Sequence, residues 1–373
     1  MLIIDAENWA LQILLAGVSL NVKIMLKLYT LKEFLPPGKR HISLLFPFWG
    51  ILEEDDDSPD KGRFRDWTLK GSQFFSLAAA PEDADFFLLP CEYAFESEVQ
   101  DMVRKLEDLA AKYCKKLLIF FNSDCADDLP VQNALVFRTS LYRSRKPDSA
   151  FAMPGWSEDL ANTLSFEPRK KASVPTVSYC GYVDYLSRPG FPGLVQRQLA
   201  KLRRLSAYED GRRLRGAIVR DLLSQGHVKT SFIIREGFWA ADIKDKKQAR
   251  LEYVENIFNS DYSLVVRGAG NFSYRLYEVL SLGRIPVIID TDMVLPYDTF
   301  LSWEKYSVWI PFDKVNETGE IIKEFHGKIS GQSFVALQCS IRKLYQEWIS
   351  PTGFYSNLYR YLASPKREEN CAT

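Results

Sequence analysis

Two glycines, an arginine and a glutamate in the segment 262–292 carry the clearest chemistry of this chain. Gly268 and Gly270 form a turn after an apolar run and just before a helical one. A helix that starts behind such a turn presents unpaired backbone N–H groups and the positive end of its dipole, which together favour an anion. Arg275 adds a planar guanidinium suited to a diphosphate. Glu278 lies three residues on, on the same helix face, and is an acceptor placed for two ribose hydroxyls. The combination describes a nucleotide-diphosphate site. A dinucleotide oxidoreductase is disfavoured, because Ser273 stands where a full Gly-x-Gly-x-x-Gly turn has its third glycine.

The elements that position these residues follow from the apolar pattern. The 373 residues suffice for two domains of ordinary size. Formal net charge is zero, which argues against a nucleic-acid partner. The six cysteines are scattered and form no Cys-x-x-Cys pair, so they read as free thiols and not as a zinc site. In the first half, residues 41–46, 85–91, 116–122 and 135–139 read as buried strands and 97–113 as an amphipathic helix. Residues 53–60 form an acidic loop. The segment 144–172, broken by Pro147, Pro154, Gly155 and Pro168, reads as the linker. A second series follows: strands at 174–179, 229–235, 285–289 and 306–310, a basic helical stretch ending near residue 223, a helix at 250–258, and the glycine-turn unit. Helix returns at 334–348, Pro351 and Gly353 break it, and 355–362 forms a last helix. Strand–helix alternation implies parallel sheets with crossovers. The predicted fold is α/β, two doubly wound Rossmann-like domains facing across a cleft. The expected bounds are 25–165 for the first domain and 170–345 for the second, with 346–373 packing back toward the first.

Arg267-Gly-x-Gly-x-x-Ser-x-Arg-x-x-Glu-x-Leu-x-x-Gly-x-Ile-Pro-Val-Ile, followed by Leu295-Pro-Tyr, Trp303 and Tyr306-Ser-Val, resembles the exostosin-like glycosyltransferases. A fainter likeness covers residues 80–93. The chain departs from the family at Arg284, where cysteine is usual. The resemblance implies the GT-B arrangement, with 25–165 as the acceptor domain and 170–345 as the nucleotide-sugar-binding domain, and an inverting transfer from a nucleotide-diphosphate sugar, with UDP or GDP as carrier. It implies Arg267, Gly268, Gly270, Ser273, Arg275 and Glu278 at the donor, with no cofactor beyond the nucleotide-sugar co-substrate and no metal. Asp290 and Asp292 leave the end of a strand and are expected to contact the donor sugar. They spell Asp-x-Asp, which holds a divalent ion in another glycosyltransferase class. Residues 55–57 and 83–85 spell it too, so the pattern is cheap in an acid-rich chain.

Inverting transfer requires a base for the acceptor hydroxyl, and positive potential to stabilise the departing nucleotide. Arg275 serves the leaving group. Glu92 and Asp124 follow first-domain strands and are the two candidates for the base, each also readable as an ordinary loop carboxylate. His41, His227 and His326 are too dispersed for a metal cluster. The basic residues 201–204 and 212–215 read as a solvated helix face, or as a contact for donor phosphates or an anionic lipid-linked acceptor. Trp156, Trp239, Trp303 and Trp309 read as core or as platforms for sugar rings.

The expected reaction builds a surface polysaccharide or lipopolysaccharide glycan, on a glycan or lipid-linked glycan acceptor. The rivals are a nucleotide-sugar epimerase and a non-catalytic nucleotide-sugar-binding scaffold. The longest early apolar run, 13–22, is about half of the ~20 residues a bilayer span needs. Eukaryotic exostosins carry an N-terminal Golgi anchor. The expectation here is a prokaryotic cytoplasmic enzyme with at most peripheral contact at the inner membrane surface, and Met25 is an alternative start.

Overall fold

The computed structural model describes residues 25–52, 61–183, 211–237 and 244–362. Two parallel sheets account for the strands. The first contains β1 (Leu26–Tyr29), β2 (Phe75–Leu77), β3 (Phe86–Leu88), β4 (Leu117–Phe121), β5 (Ala134–Arg138) and β6 (Ala150–Ala152), in the order β2-β1-β3-β4-β5-β6. The second contains β7 (Thr176–Tyr182), β8 (Lys229–Arg235), β9 (Tyr262–Val265), β10 (Ile285–Asp290) and β11 (Val308–Pro311), in the order β11-β10-β9-β7-β8. Each sheet starts in its interior, runs to one flank and then reverses. The strand order therefore switches between β1 and β3, and between β7 and β9. Crevices at the carboxyl ends of such strands are where doubly wound sheets hold ligands.

Sequence explains the central strands directly. Leu117–Phe121, Ala134–Arg138 and Tyr262–Val265 are buried at every position, as strands covered on both faces must be. The Ser97–Lys112 helix buries Val99, Val103, Leu106 and Ala110, a spacing of four, three and four. In the second sheet, the Tyr274–Ser281 helix buries Leu276, Tyr277, Val279 and Leu280 behind β9 and β10.

Several elements differ from the sequence expectation. Residues 41–46 are not a strand: His41 makes a single bridge to Cys91, and Ser43–Leu45 and Phe46–Trp49 are helical. Leu44, Leu45 and Phe46 are buried there as a helical turn, which an apolar run of that length cannot reveal. The opening strand is instead Leu26–Tyr29, and Phe75–Leu77 forms the edge. Ala150–Ala152 adds a strand inside the segment read as linker. The preceding helix does end before Pro351, at Ile349, but Pro351 also begins the next one, Pro351–Asn357, which runs through Gly353 and is capped by Ser350 through a bond from the Gly353 amide. The acidic stretch 53–60, the basic residues 201–204 and Trp239 lie outside the described residues.

The carboxyl ends of the two sheets face each other. Residues after β4 and β5 touch residues after β9 and β10, so the first sheet reaches the glycine turn of the second. On the other side, Phe354, Tyr355, Leu358 and Tyr361 return to the first sheet and pack with Trp67, Phe137 and Trp156. Tyr361 stacks on Tyr297 with ring centroids 4.6 Å apart, and the Tyr355 hydroxyl lies 2.8 Å from Ser43 Oγ.

Candidate active site

The switch between β7 and β9 carries Arg275. Its Nη2 donates to the carbonyl of Cys180 in β7. The guanidinium lies over two phenol rings, 4.6 Å from the Tyr179 centroid and 5.1 Å from that of Tyr253. Nη1 is buried and has no hydrogen-bond partner among the described residues. A guanidinium held on one edge, with an unpartnered N–H on the other, leaves a site for an anionic oxygen.

Glu278 shares that helix face. Its Oε1 accepts a 2.7 Å bond from Arg250 Nη1, and its Oε2 accepts from the Tyr253 hydroxyl. Arg250 also lies 3.5 Å from Glu158. The residue expected at the ribose is therefore buried and already carries two partners from the Lys246–Phe258 helix. Sequence spacing found Arg275 and Glu278 together but missed Arg250 and Tyr253, since nothing local links that helix to the glycine turn.

The turn itself is more occupied than the sequence implied. Gly268 N donates to Phe272 O at 2.9 Å. Gly270 N donates to Asp124 Oδ1 at 2.9 Å, and Asn271 N to Ser140 Oγ at 2.9 Å. The Asn271 amide donates to Leu141 O and Thr291 O at 3.0 and 3.1 Å, and its Oδ1 accepts from Thr291 Oγ1 at 2.7 Å. Arg267 is buried, bonded to Ala269 O at 2.7 Å and to the Tyr142 hydroxyl. It holds the turn and is placed in its wall. The turn is thus a junction between the sheets. Gly211 opens the Gly211–Gln225 helix directly against it: a Cβ there would meet Arg267 O and Gly268 O at 2.5 and 2.6 Å. Arg212 and Arg213 follow on that helix and are exposed. Ser273 stands at the N-cap of the Tyr274–Ser281 helix without a side-chain cap bond.

The two carboxylates considered as base are separated by their surroundings. Asp124 is drawn onto Gly270. Glu92 follows β3 beside the β1/β3 switch. It is solvent-exposed, yet the protein packed around it partly desolvates its carboxyl and pushes it up to about 7, with Arg63 pulling the other way. The Tyr274 hydroxyl donates to Asn122 Oδ1 at 3.3 Å and feels the charges of Glu92, Arg63 and Asp124. Tyr274, the residue before Arg275, thus lies within electrostatic reach of Glu92.

Asp290 and Asp292 lie at the far side of the turn. Asp290 Oδ2 accepts from Trp309 Nε1 at 3.3 Å and from Arg143 Nη1 at 3.5 Å. Asp292 Oδ2 accepts from Ser144 N at 3.2 Å and from Ser144 Oγ, while its carbonyl accepts from Arg143 N at 2.8 Å. The pair fastens β10 to the segment after β5. Among the described residues no group of three or more His, Cys, Asp and Glu is arranged to hold a metal ion. Trp156 and Trp303 are core, and Trp309 is partly buried. His41 contacts Gly50 O, His227 pairs with Glu320, and His326 bridges Tyr262 and Ala172 O, all structural contacts. Among the described residues no helix is long and apolar enough to cross a membrane.

Similarity to known proteins agrees with the resemblance noted in the sequence. Bovine exostosin-2 is 31% identical over 90 residues, 24% of this chain and 12% of that protein. A probable glucuronosyltransferase from rice, GUT1, is 34% identical over 70 residues, 19% of this chain and 17% of that protein. The matched stretches thus cover under a fifth of either relative. Among solved structures, Anabaena HepE in complex with UDP and glucose aligns over 91% of this chain and 99% of its own, at 10% identity and a TM-score of 0.38. The family model for the Exostosin GT47 domain matches residues 67–325, from before β2 to beyond β11 and through every site residue described above. The chain belongs to the exostosin GT47 domain family.

Proposed function

We propose that this protein transfers a sugar from a UDP- or GDP-sugar to a glycan hydroxyl with inversion. The observation that carries the reading is Arg275: a charged, clamped guanidinium with a buried N–H that has no partner among the described residues, at the switch of a doubly wound sheet, in an exostosin GT47 domain. Arg275 binds the diphosphate and neutralises the charge that grows as the sugar leaves. Glu92 takes the acceptor proton. A carboxyl near 7 is half-ionised at neutral pH, where a general base works best. Asp124, the other candidate, anchors the turn. The two sheets hold donor and acceptor in line, so positioning supplies much of the acceleration. The leaving group is stabilised by arginine without a divalent ion. The acceptor is a surface polysaccharide or lipopolysaccharide glycan.

The test is nucleotide binding by thermal shift and calorimetry, with UDP, GDP, CMP, dTDP and NAD, on wild type and Arg275→Ala. One diphosphate nucleotide is expected to bind, and to weaken about tenfold or more in the variant. Binding indifferent to Arg275, or no nucleotide bound by folded wild type, overturns the donor site. Sugar turnover without an acceptor identifies an epimerase instead.

A further inference from the structure

The Lys246–Phe258 helix sends two side chains to one carboxylate. Arg250 and Tyr253 are three residues apart, on one face, and divide the oxygens of Glu278 between them. Their holds differ. Arg250 is fixed from two sides, by Glu278 at 2.7 Å and by Glu158 at 3.5 Å, and carries the charge that Glu278 needs. Tyr253 offers a single neutral O–H. It is partly buried, and its ring lies against the Arg275 guanidinium at 5.1 Å. Burial, with the Glu278 charge next in weight, holds the phenol well above its ordinary value, so it is the donor in this bond.

A ribose hydroxyl is also a neutral O–H donor. Replacing the tyrosine hydroxyl by a ribose hydroxyl keeps the buried carboxylate satisfied, whereas removing Arg250 would strand it. The tyrosine bond is thus the exchangeable one, and it sits one helical turn from the arginine assigned to the diphosphate.

We propose that the Tyr253 hydroxyl is a built-in competitor for the donor's ribose at Glu278 Oε2, satisfying that oxygen when no nucleotide is present and lowering the affinity for ribonucleotides specifically. Tyr253 is in this sense a positioning and specificity-setting residue that acts through Glu278. The inference rests on the donor-site reading given above.

The experiment compares calorimetric binding of UDP and GDP with that of their 2′,3′-dideoxy counterparts, in wild type, Tyr253→Phe, Glu278→Gln and Arg275→Ala. Tyr253→Phe is expected to tighten the ribonucleotide by about tenfold and leave the dideoxy form unchanged. A merely structural loss weakens binding and does not tighten it. In Glu278→Gln the preference for the ribonucleotide is expected to shrink toward parity while the protein stays folded. Equal changes for both nucleotides in Tyr253→Phe, or weaker binding of the ribonucleotide, overturn the inference. If Arg275→Ala weakens both nucleotides and Tyr253→Phe changes neither, only the tyrosine assignment fails. If folded wild type binds neither nucleotide, the donor site fails and the inference falls with it.

Discussion

The Asp124 carboxylate accepts the Gly270 amide proton at 2.9 Å, joining the loop after β4 in one sheet to the glycine turn of the other. A carboxylate at a turn amide occupies the kind of position an anionic oxygen takes at such turns. The approach is close enough to exclude any side chain at 270: a Cβ would sit 2.7 Å from Asp124 Oδ1 and 2.8 Å from Asp124 Cα. Gly270→Ala is therefore expected to push the two sheets apart at this point. Overpacking of this kind costs roughly 1–3 kcal/mol. Urea unfolding should show that loss, together with weaker nucleotide binding. Unchanged stability with unchanged binding would mean that the contact does not form in solution.

Glu92 makes a pH prediction. Its carboxyl is pushed up to about 7 from an ordinary 4.5 by partial desolvation against the surrounding protein. If it is the base, kcat/KM falls as pH drops through about 7, because protonation removes the acceptor for the hydroxyl proton. Arg63 opposes the shift, so Arg63→Met should move that limb to higher pH. Glu92→Gln should lower kcat by about 10²–10⁴-fold and abolish the limb. For stability the sign is opposite to that of a salt-bridged carboxylate. The folded state binds the proton more tightly than the unfolded chain, so stability falls as pH rises from about 4.5 to about 7. Glu92→Gln should flatten this dependence. An acidic limb that persists unchanged in Glu92→Gln assigns the base elsewhere.

What sequence could and could not reveal follows from which contacts are local. The unit from Tyr262 to Asp290 was legible because strand, turn, helix and strand are contiguous and each has its own period. Arg275 and Glu278 were paired by helical spacing alone. Their partners Tyr253 and Arg250 were not legible, since they arrive from another helix, nor were the turn's partners Asp124, Ser140 and Tyr142, which arrive from the other sheet. Asn271, buried with three hydrogen bonds around its amide group, was not legible as an anchor of the turn. The short strands Leu26–Tyr29, Phe75–Leu77 and Ala150–Ala152 escaped because three or four residues cannot establish a period. Residues 41–46 misled for the same reason, since an apolar run of that length serves a strand or a helical turn equally well.

Arg284 shows what the departure from the family pattern does here. The side chain is buried, and it donates to the carbonyls of Phe258, Glu167 and Leu282 at 3.0 Å each. It ties the end of one helix and the crossing segment to the turn before β10. Burial lowers its pKa to about 10, with Arg169 adding to the effect. Arg284→Ala leaves a cavity and three carbonyls without their donor, and is expected to cost about 3–5 kcal/mol. Arg284→Cys, the residue usual in the family, should cost nearly as much, because a thiol reaches none of those carbonyls. Denaturant midpoints at constant m-value measure both. A cost below about 1 kcal/mol would show that the surrounding backbone closes over the gap.

Asp290 and Asp292 separate a metal reading from a structural one. Both carboxylates are engaged by protein donors: Trp309 and Arg143 on the first, Ser144 on the second. A divalent ion would have to break those contacts, which join β10 to the segment after β5. Asp292→Ala is therefore expected to act through stability, with a loss of roughly 0.5–1.5 kcal/mol, since water can take up the exposed Ser144 donors. Dialysis against EDTA should leave nucleotide binding and sugar transfer within about twofold of the untreated protein, a difference well under the tenfold that 1.4 kcal/mol represents. Added Mg²⁺ or Mn²⁺ should change little. Stimulation by Mn²⁺ that disappears in Asp292→Ala, at unaltered stability, would reverse the assignment and make the pair a metal site reached by opening the junction. The two outcomes differ in which measurement moves, so one variant assayed both ways decides between them.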